Sequence, residues 1–318
     1  MNEVAFDSTL LEDLKPGLTS FCYRMLGSFD DADDAVQETY IRAWQGWSLF
    51  RQESSRKTWI YRIASNLCLD KIRQAKRRIL PVDLSDPAVS IIEPKEMLPD
   101  SSWIWPSPDF GENPEDAAIR KDTLQLCFIA LLQTLPPKQR AVLILKDIFE
   151  WSSKQIAEAL EISPAAVNSA LQRARVTLDQ TNLRSNEFSR MDIVPDHDLL
   201  SRYVEAFEQF DIHALVALFH EDGCMSMPPF EMWVRGKDDL SKFFTLTRWH
   251  CVGSKFLPTK VNGGYPALAQ YVPSNEGSAL VPWGIHVIDI KDNQIFHVQN
   301  FINKKLFVRL GLPEQMHR

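Results

Sequence analysis

The period of the apolar residues changes once along this chain, near residue 196. Up to about residue 180 they recur at intervals of three and four, as on one face of a helix. Beyond residue 250 they alternate, in KFLPTKVN, PALAQYV, WGIHVIDI and IFHVQNFI, as in half-buried strands. Two periods in separate blocks require separate domains, and a length of 318 residues suits two or three.

Residues 9–78 read as helical throughout. A first helix covers about Leu10 to Leu26. Asp30 is placed to cap a second, which runs to about Trp47 with Val36, Tyr40, Ala43, Trp44 and Trp47 at core spacing. A third runs from about Trp59 to Arg78. Residues 79–114 carry seven prolines and much acid, and read as a linker. Trp103 and Trp105 suggest that part of it packs against something. Residues 115–180 are helical again, broken at LPP (135–137) and EISP (161–164). A short linker, 181–195, follows. Two helices (about 197–210 and 212–219) and a third near 237–246 then precede the alternating runs.

The net charge is −7 and the sequence pI about 5.6, but the charge is segregated. Residues 1–50 carry three basic and nine acidic side chains, residues 51–78 nine and two, residues 79–120 two and nine. Such a chain offers a polyanion one basic stripe, not its whole surface. Cys22, Cys68, Cys127, Cys224 and Cys251 are scattered with no C-x-x-C, which fits reduced thiols. No metal or cofactor is expected. No apolar run reaches the 18 or so residues of a membrane span, and the acidic N-terminus does not read as a signal peptide. The expected location is cytoplasmic.

Three stretches carry chemistry. In SPAAVNSALQRARVTL, Ser163 is a good N-cap and Pro164 fits the first helical position. Val167, Ala170, Leu171, Ala174 and Leu178 follow on one face. With Ile156, Ala157 and Leu160 before the turn, this is a helix-turn-helix pattern, whose second helix enters the major groove. Periodicity alone fits a helical hairpin of another all-α domain equally well. In RKTWIYRIASNLCLDKIRQAKRR, Ile60, Ile63, Ala64, Leu67, Cys68 and Ala75 share one side of a helical wheel. Trp59, Arg62, Asn66, Arg73 and Arg77 share the other, an aromatic among cations and amides as single-stranded DNA requires. A solvated basic face is the plain alternative. In FDDADDAVQETYIRAW, the aspartates suit a helix N-terminus by the macrodipole alone, or an acidic surface for a basic partner.

In this order and spacing, FDDADDAVQETYIRAW, TWIYRIASNLCLDKIRQAKR and LPPKQRAVLILKDIFEWSSKQIAEALEISPAAVNSALQRAR resemble a bacterial RNA polymerase sigma factor. The likeness is to the extracytoplasmic-function (ECF) subfamily of the sigma-70 family and covers residues 9–180. It implies two all-α sigma domains, the second a helix-turn-helix. Domain two (9–78) would bind core RNA polymerase through Asp33, Asp34, Gln37 and Glu38. It would read and melt the −10 element of promoter DNA through Trp59, Arg62, Asn66, Arg73 and Arg77. Domain four (115–180) would read the −35 element through Ser163, Ala165, Asn168, Ser169, Gln172, Arg173 and Arg175. Many members carry basic residues where this chain has Asn168 and Ala170, which shifts the expected contacts toward Ser169, Gln172 and Arg173. A subunit of a larger enzyme need not hold DNA alone, so an acidic pI is no contradiction.

Residues 196–312 resemble a SnoaL-like domain of the nuclear-transport-factor type, an α+β cone around a mostly apolar pocket. Met227, Trp233, Trp249, Tyr271, Trp283 and Phe301 are the pocket candidates, for a small apolar ligand or simply as core. Relatives of this fold include enzymes that use a carboxylate or histidine, here Asp211, His286, Asp289 or His297. No acid–base pair stands out, so no catalytic residue is nominated and the chain is expected not to be an enzyme. Three functions remain open: a sigma factor regulated by its own C-terminal domain, a transcription factor fused to a small-molecule enzyme, and a stand-alone helix-turn-helix regulator.

Overall fold

In the computed structural model the described residues are 8–50, 54–74, 77–81, 87, 97–108, 126–185, 197–274 and 277–317. They form two compact units. The first takes the described residues up to 78, residues 104–106 and those from 126 to 185. The second takes those from 79 to 103, residues 107 and 108, and those from 197 onward.

The first unit is helical. Helix α1 (Ser8–Leu26) buries Leu11, Leu14, Leu18, Phe21, Cys22 and Met25 at helical spacing, and from Gly17 to Leu26 it is buried on every side. Helix α2 (Phe29–Gly46) is capped by Ser28, whose Oγ accepts the Asp31 N–H at 3.3 Å. The expected cap, Asp30, instead lies in the first turn with Asp31. Ser28 takes the role because its backbone is extended (φ −145°), which aims the hydroxyl back at an orphan N–H. Trp44, expected in the core, is 63% exposed; it sits a quarter-turn off the stripe of Ala32, Ala35, Val36, Thr39 and Ala43. Helix α3 (Arg56–Gln74) starts under Ser55, whose Oγ accepts the Thr58 N–H at 3.0 Å. It ends before Arg77 and Arg78, which are not helical. Ala75 lies outside the described residues.

Helices α4 (Leu126–Thr134) and α5 (Pro137–Leu143) are separated by the LPP break, and a π-helical turn, Ile144–Ile148, follows α5. Helix α6 (Ser153–Leu160) opens on a capping box between Ser152 and Gln155. It closes at Glu161 in the left-handed region (φ +53°). Helix α7 (Pro164–Ser185) is capped by Ser163 Oγ, which accepts the Ala166 N–H at 3.2 Å. Arg140 on α5 ties this set to α1. Its buried guanidinium donates to the Met25 carbonyl, the Gln133 side-chain oxygen and the Gln133 and Leu135 carbonyls. Gln133 Nε2 in turn donates to the Arg24 carbonyl at 3.1 Å.

The second unit is α+β. Helices α8 (His197–Glu208) and α9 (Ile212–Ala217) precede strands β1 (Phe219–Ser226) and β2 (Trp233–Arg235). Helices α10 (Lys237–Leu246) and α11 (Arg248–Cys251) follow. Then come β3 (Lys255–Val261), β4 (Tyr265–Pro273), β5 (Ala279–Lys291), β6 (Gln294–Phe301), α12 (Lys304–Arg309) and β7 (Met316–His317). The sheet runs β2-β1-β6-β5-β4-β3, with β7 paired to β5. Only the β1–β6 pairing is parallel among those between named strands. One face carries Met225, Leu268, Ile288 and Val298 and packs on Tyr203, Phe207, Phe243 and Phe244. On the opposite face Tyr271 meets Phe307 of α12, ring centroids 5.2 Å apart. Strands β1 and β2 are absent from the sequence reading because FHEDGCMS has polar residues mid-strand and WVR is too short to alternate.

The acidic, Pro-rich stretch is stitched to this second unit. Leu98 N–H donates to the Pro229 carbonyl at 3.1 Å, and Ser107 N–H to Asn262 Oδ1 at 2.7 Å. The Asn262 N–H returns to the Ser107 carbonyl at 2.9 Å. Trp103 is fully buried. Trp105 is buried in the first unit, where its carbonyl accepts the Tyr23 hydroxyl at 2.9 Å.

Arg140→Ala should cost about 3 kcal/mol, because it leaves buried carbonyls on α1 and α4 without a donor. Arg140→Lys should recover little of this, since an ammonium lacks the planar fork. The midpoint of urea unfolding measures both.

Candidate functional site

Helix α7 divides into an inward and an outward face. Val167, Ala170 and Ala174 are buried against the rest of the helix-turn-helix. Ala165, Asn168, Ser169, Gln172, Arg173 and Val176 are exposed and form one stripe along the helix. Ser163 is also exposed, at the head of that stripe. Arg175 lies at its edge and pairs with Asp147 at 2.7 Å. Asn168 Oδ1 accepts the Ser153 hydroxyl at 3.2 Å, which ties the stripe to the first helix of the motif.

On α3 the five expected contacts do not share one exposed face. Trp59 is only 9% exposed. It packs against Phe50 and Trp47 at 5.3 and 6.1 Å. The helical wheel missed this because the covering rings come from a separate segment before α3. Gly46 makes the room: a Cβ there would lie 3.2 Å from the Trp59 ring. Asn66, Arg73 and Arg77 are exposed. Arg73 pairs with Asp70 at 2.8 Å, and Arg62 reaches Glu161, the left-handed residue of the helix-turn-helix, at 3.5 Å.

On α2, Asp34 and Gln37 are exposed while Asp33 and Glu38 are partly so. Gln37 Nε2 donates to Asp33 at 2.7 Å, Glu38 pairs with Arg42 at 2.7 Å, and Asp34 with Lys71 at 3.5 Å. Ile41 and Trp44 continue the same face as exposed apolar residues. The acidic stripe therefore runs into a hydrophobic one, which the core assignment of Trp44 had concealed.

The second unit holds a cavity of about 420 Å3 between the sheet and α10–α11. Of the six pocket candidates, Met227, Trp249 and Trp283 line it. Trp233, Tyr271 and Phe301 do not. Trp233 pairs in register with Ser226, and Tyr271 and Phe301 neighbour the cavity-lining Gln270 and Asn300, so alternation turns all three to the opposite face. Met225, Met232, Phe207, Phe243 and Phe244 line it instead, with Thr247, His250, Gln270 and Asn300 as polar members.

The four ionisable candidates do not converge on this cavity. Asp211 is the exposed N-cap of α9. His286 lies behind the wall in a buried chain. Tyr203 O–H donates to Nδ1, Nε2–H donates to Gln270 Oε1, and Gln270 Nε2 donates to Ser254 Oγ, each at 2.9 Å. This chain fits a neutral imidazole, and burial pushes the His286 pKa down to about 3. Asp289 and His297 lie on the opposite face of the sheet. His297 Nε2 meets Ser226 Oγ at 2.9 Å, but its Nδ1 stands 3.9 Å from Asp289, beyond a hydrogen bond. Asp289 accepts from Gln299 at 2.9 Å and from Tyr265 at 3.3 Å. Burial pushes Asp289 up to about 7 against those two hydrogen bonds, and pushes His297 down to about 3.

Comparison with known proteins agrees with this layout. Residues 10–78 match the family model for Sigma-70 region 2, residues 125–178 that for Sigma-70, region 4, and residues 197–262 that for the nuclear transport factor 2 (NTF2) domain. The ECF RNA polymerase sigma factor SigG of Mycobacterium tuberculosis is 37% identical over 317 residues, covering 96% of this chain and 83% of that protein. SigW of Bacillus subtilis is 34% identical over 169 residues, covering 53% of this chain and 84% of SigW. The crystal structure of M. tuberculosis SigJ superposes with a TM-score of 0.62 at 21% identity, over 96% of this chain and all of that one, and shares its fold. The chain belongs to the ECF RNA polymerase sigma factors. It carries sigma regions two and four and an NTF2-like C-terminal domain, and family membership sets aside a stand-alone regulator. Among the described residues no helix is long and apolar enough to cross a membrane.

The three buried groups of the sheet set a pH dependence. Below 6.5 the unfolded histidines gain protons that His286 and His297 refuse until about pH 3, so both make stability fall with falling pH. Asp289 does the reverse: it is protonated below about 7 in the fold and below 3.8 when unfolded, so its contribution is lost as pH rises between those values. From about pH 4 to 6.5 the three together should make stability rise by about 1.4 kcal/mol per pH unit. Asp289→Asn should steepen that slope by a further ~1.4 kcal/mol per unit, measured by urea unfolding at pH 4.5, 5.5 and 6.5.

Proposed function

We propose that this sigma factor reads the −35 element with the exposed stripe of α7 and engages the −10 element with the exposed side of α3. The observation that carries the first assignment is the division of α7. Small and amide side chains, Ala165, Ser169 and Gln172, lie along its outer midline, with Asn168 and Arg173 on the flanks. Small residues admit close approach to base edges, the amides hydrogen-bond them, and the arginine reaches phosphate. Asn66 and Arg73 on α3, with Arg77 just beyond its end, take the DNA-facing role. Arg62 joins them on leaving Glu161. Trp59 acts as a positioning residue, holding the segment before α3 through Trp47 and Phe50. Core polymerase docks on the α2 face of Asp33, Asp34, Gln37 and Glu38, continued by Ile41 and Trp44. The working domains are 9–78, 115–180 and 196–312, and the chain acts in the cytoplasm, where polymerase and promoter DNA reside.

We further propose that the C-terminal domain controls initiation and is not itself an enzyme. The support is mechanical. The stretch that joins the two sigma domains is hydrogen-bonded to the C-terminal domain at Leu98–Pro229 and Ser107–Asn262. A domain that grips this stretch restricts the geometry of both DNA-reading helices. Among the described residues no carboxylate lines its cavity, and the histidine that does, His250, is stacked on Trp283 with no carboxylate of the lining beside it to form an acid–base pair.

Multi-round transcription with purified core polymerase, comparing residues 1–318 with 1–185, tests both proposals. Both forms should initiate, and output should differ several-fold, the ratio giving the sign of control. Asn262→Gly keeps the left-handed backbone of that residue (φ +49°) and removes both side-chain bonds to Ser107. It should shift output in the same direction as the deletion. Equal output from all three forms would end the regulatory reading. Gln172→Ala should cost about 1–3 kcal/mol of discrimination at one −35 position; a uniform loss on every sequence would make it a phosphate contact.

A further inference from the structure

The cavity of the C-terminal domain differs from an ordinary packing defect in three ways. Its volume, about 420 Å3, lies within the range of ligand sites and far above the voids of a close-packed interior. Its walls are adaptable and flat: Met225, Met227 and Met232 on one side, and the Trp283 ring at the mouth, stacked on His250 at 5.4 Å and 16°. Trp249, 90% exposed, stands at the same rim. Third, one buried polar group is uncommitted. Gln270 is spent on His286 and Ser254. Asn300, 3% exposed, lines the cavity, yet its Oδ1 has no hydrogen-bond partner. Residue 284 is a glycine where any Cβ would fall 2.1 Å from that oxygen, so the fold makes room for the amide. A buried carbonyl oxygen left unpaired is destabilising, and turning the amide end for end lets it offer either its carbonyl or its NH2 to a guest.

Among the described residues no lysine, arginine or carboxylate lines the cavity, and its one histidine, His250, is stacked on Trp283 at the mouth. A charged guest would find no fixed counter-ion in the interior and would pay a large desolvation cost. We infer that this cavity binds a neutral, planar, largely apolar molecule of about two to three fused rings whose single hydroxyl or carbonyl hydrogen-bonds to Asn300. Binding stands on the cavity alone. Its effect on transcription rests on the proposed control by the C-terminal domain.

The test is equilibrium dialysis of the full chain against three matched compounds: phenanthren-9-ol, phenanthrene and phenanthrene-9-carboxylate. The alcohol should bind one site per chain, about tenfold tighter than the hydrocarbon and at least about thirtyfold tighter than the carboxylate. Asn300→Leu should abolish the preference for the alcohol while hydrocarbon binding stays within about threefold, which also reports an intact cavity. Trp283→Leu should weaken both neutral compounds about tenfold and leave their ratio unchanged. No saturable site for the alcohol, equal binding of the carboxylate, or an alcohol preference that survives Asn300→Leu would each overturn the assignment. The same alcohol is then added to the transcription assay. Binding with unchanged output upholds the ligand site and removes its effect on transcription; no binding removes the ligand site and leaves control by the C-terminal domain to the deletion experiment.

Discussion

A guanidinium buried beside carbonyls must be hydrogen-bonded or the fold loses several kcal/mol, and Arg140 meets that demand by spanning two sigma regions. It rises from α5 of region four and ends on the last turn of α1 in region two. The α1 carbonyls it and Gln133 reach, Met25 and Arg24, are orphans of a helix C-terminus, where a cation is doubly favoured. Burial still pulls the arginine down to about 10, so it stays charged at neutral pH. Together with the packing of Tyr61 of α3 on Phe149 and Trp151, this joint makes the helix that carries the basic stripe and the helix-turn-helix a single unit.

The second unit depends on a different constraint, the two-residue period of its strands. On β4, β5 and β6, alternation sends Gln270, His286 and Asn300 to the cavity side and Asp289, His297 and Gln299 to the other. Both sides are buried, so each polar group needs a partner, and the two sets solve the problem separately. The Tyr203–His286–Gln270–Ser254 chain is closed at every link. On the cavity side Asn300 is the member left over: its Oδ1 has no hydrogen-bond partner, which gives the cavity wall an uncommitted hydrogen-bonding point.

Much of this was legible in the sequence. The helix-turn-helix was readable to the residue, because Ser163, Pro164 and the Val167-Ala170-Ala174 stripe are local signals. The strands β3 to β6 followed from alternation. What local periodicity cannot encode is the partner. Trp59 and Trp44 exchanged places, one buried by rings from another segment and the other left bare beside an acidic face. Half of the pocket candidates fell on the wrong side of the sheet because an aromatic side chain names a buried position without naming the layer. Asn300 carried no sequence signal at all: a single asparagine in an apolar strand becomes notable only when Gly284 is seen across from it.

The charge segregation of the chain acquires a physical sense at the level of pairs. Arg62 faces Glu161, Arg73 Asp70, Arg78 Asp31 and Arg175 Asp147. These four cations, on or beside the surfaces proposed to face DNA, are thus pre-paired with acids of the same unit. Where such pairs are exposed they hold by about 1 kcal/mol or less, so exchanging a carboxylate for a phosphate costs little. The acids nevertheless lower the field that random DNA would feel, and non-specific affinity depends on that field through counterion release. A surface built this way should bind poorly to DNA at large. On the proposed assignment it would gain its phosphates where polymerase delivers the strand within reach, and a net charge of −7 would then serve specificity.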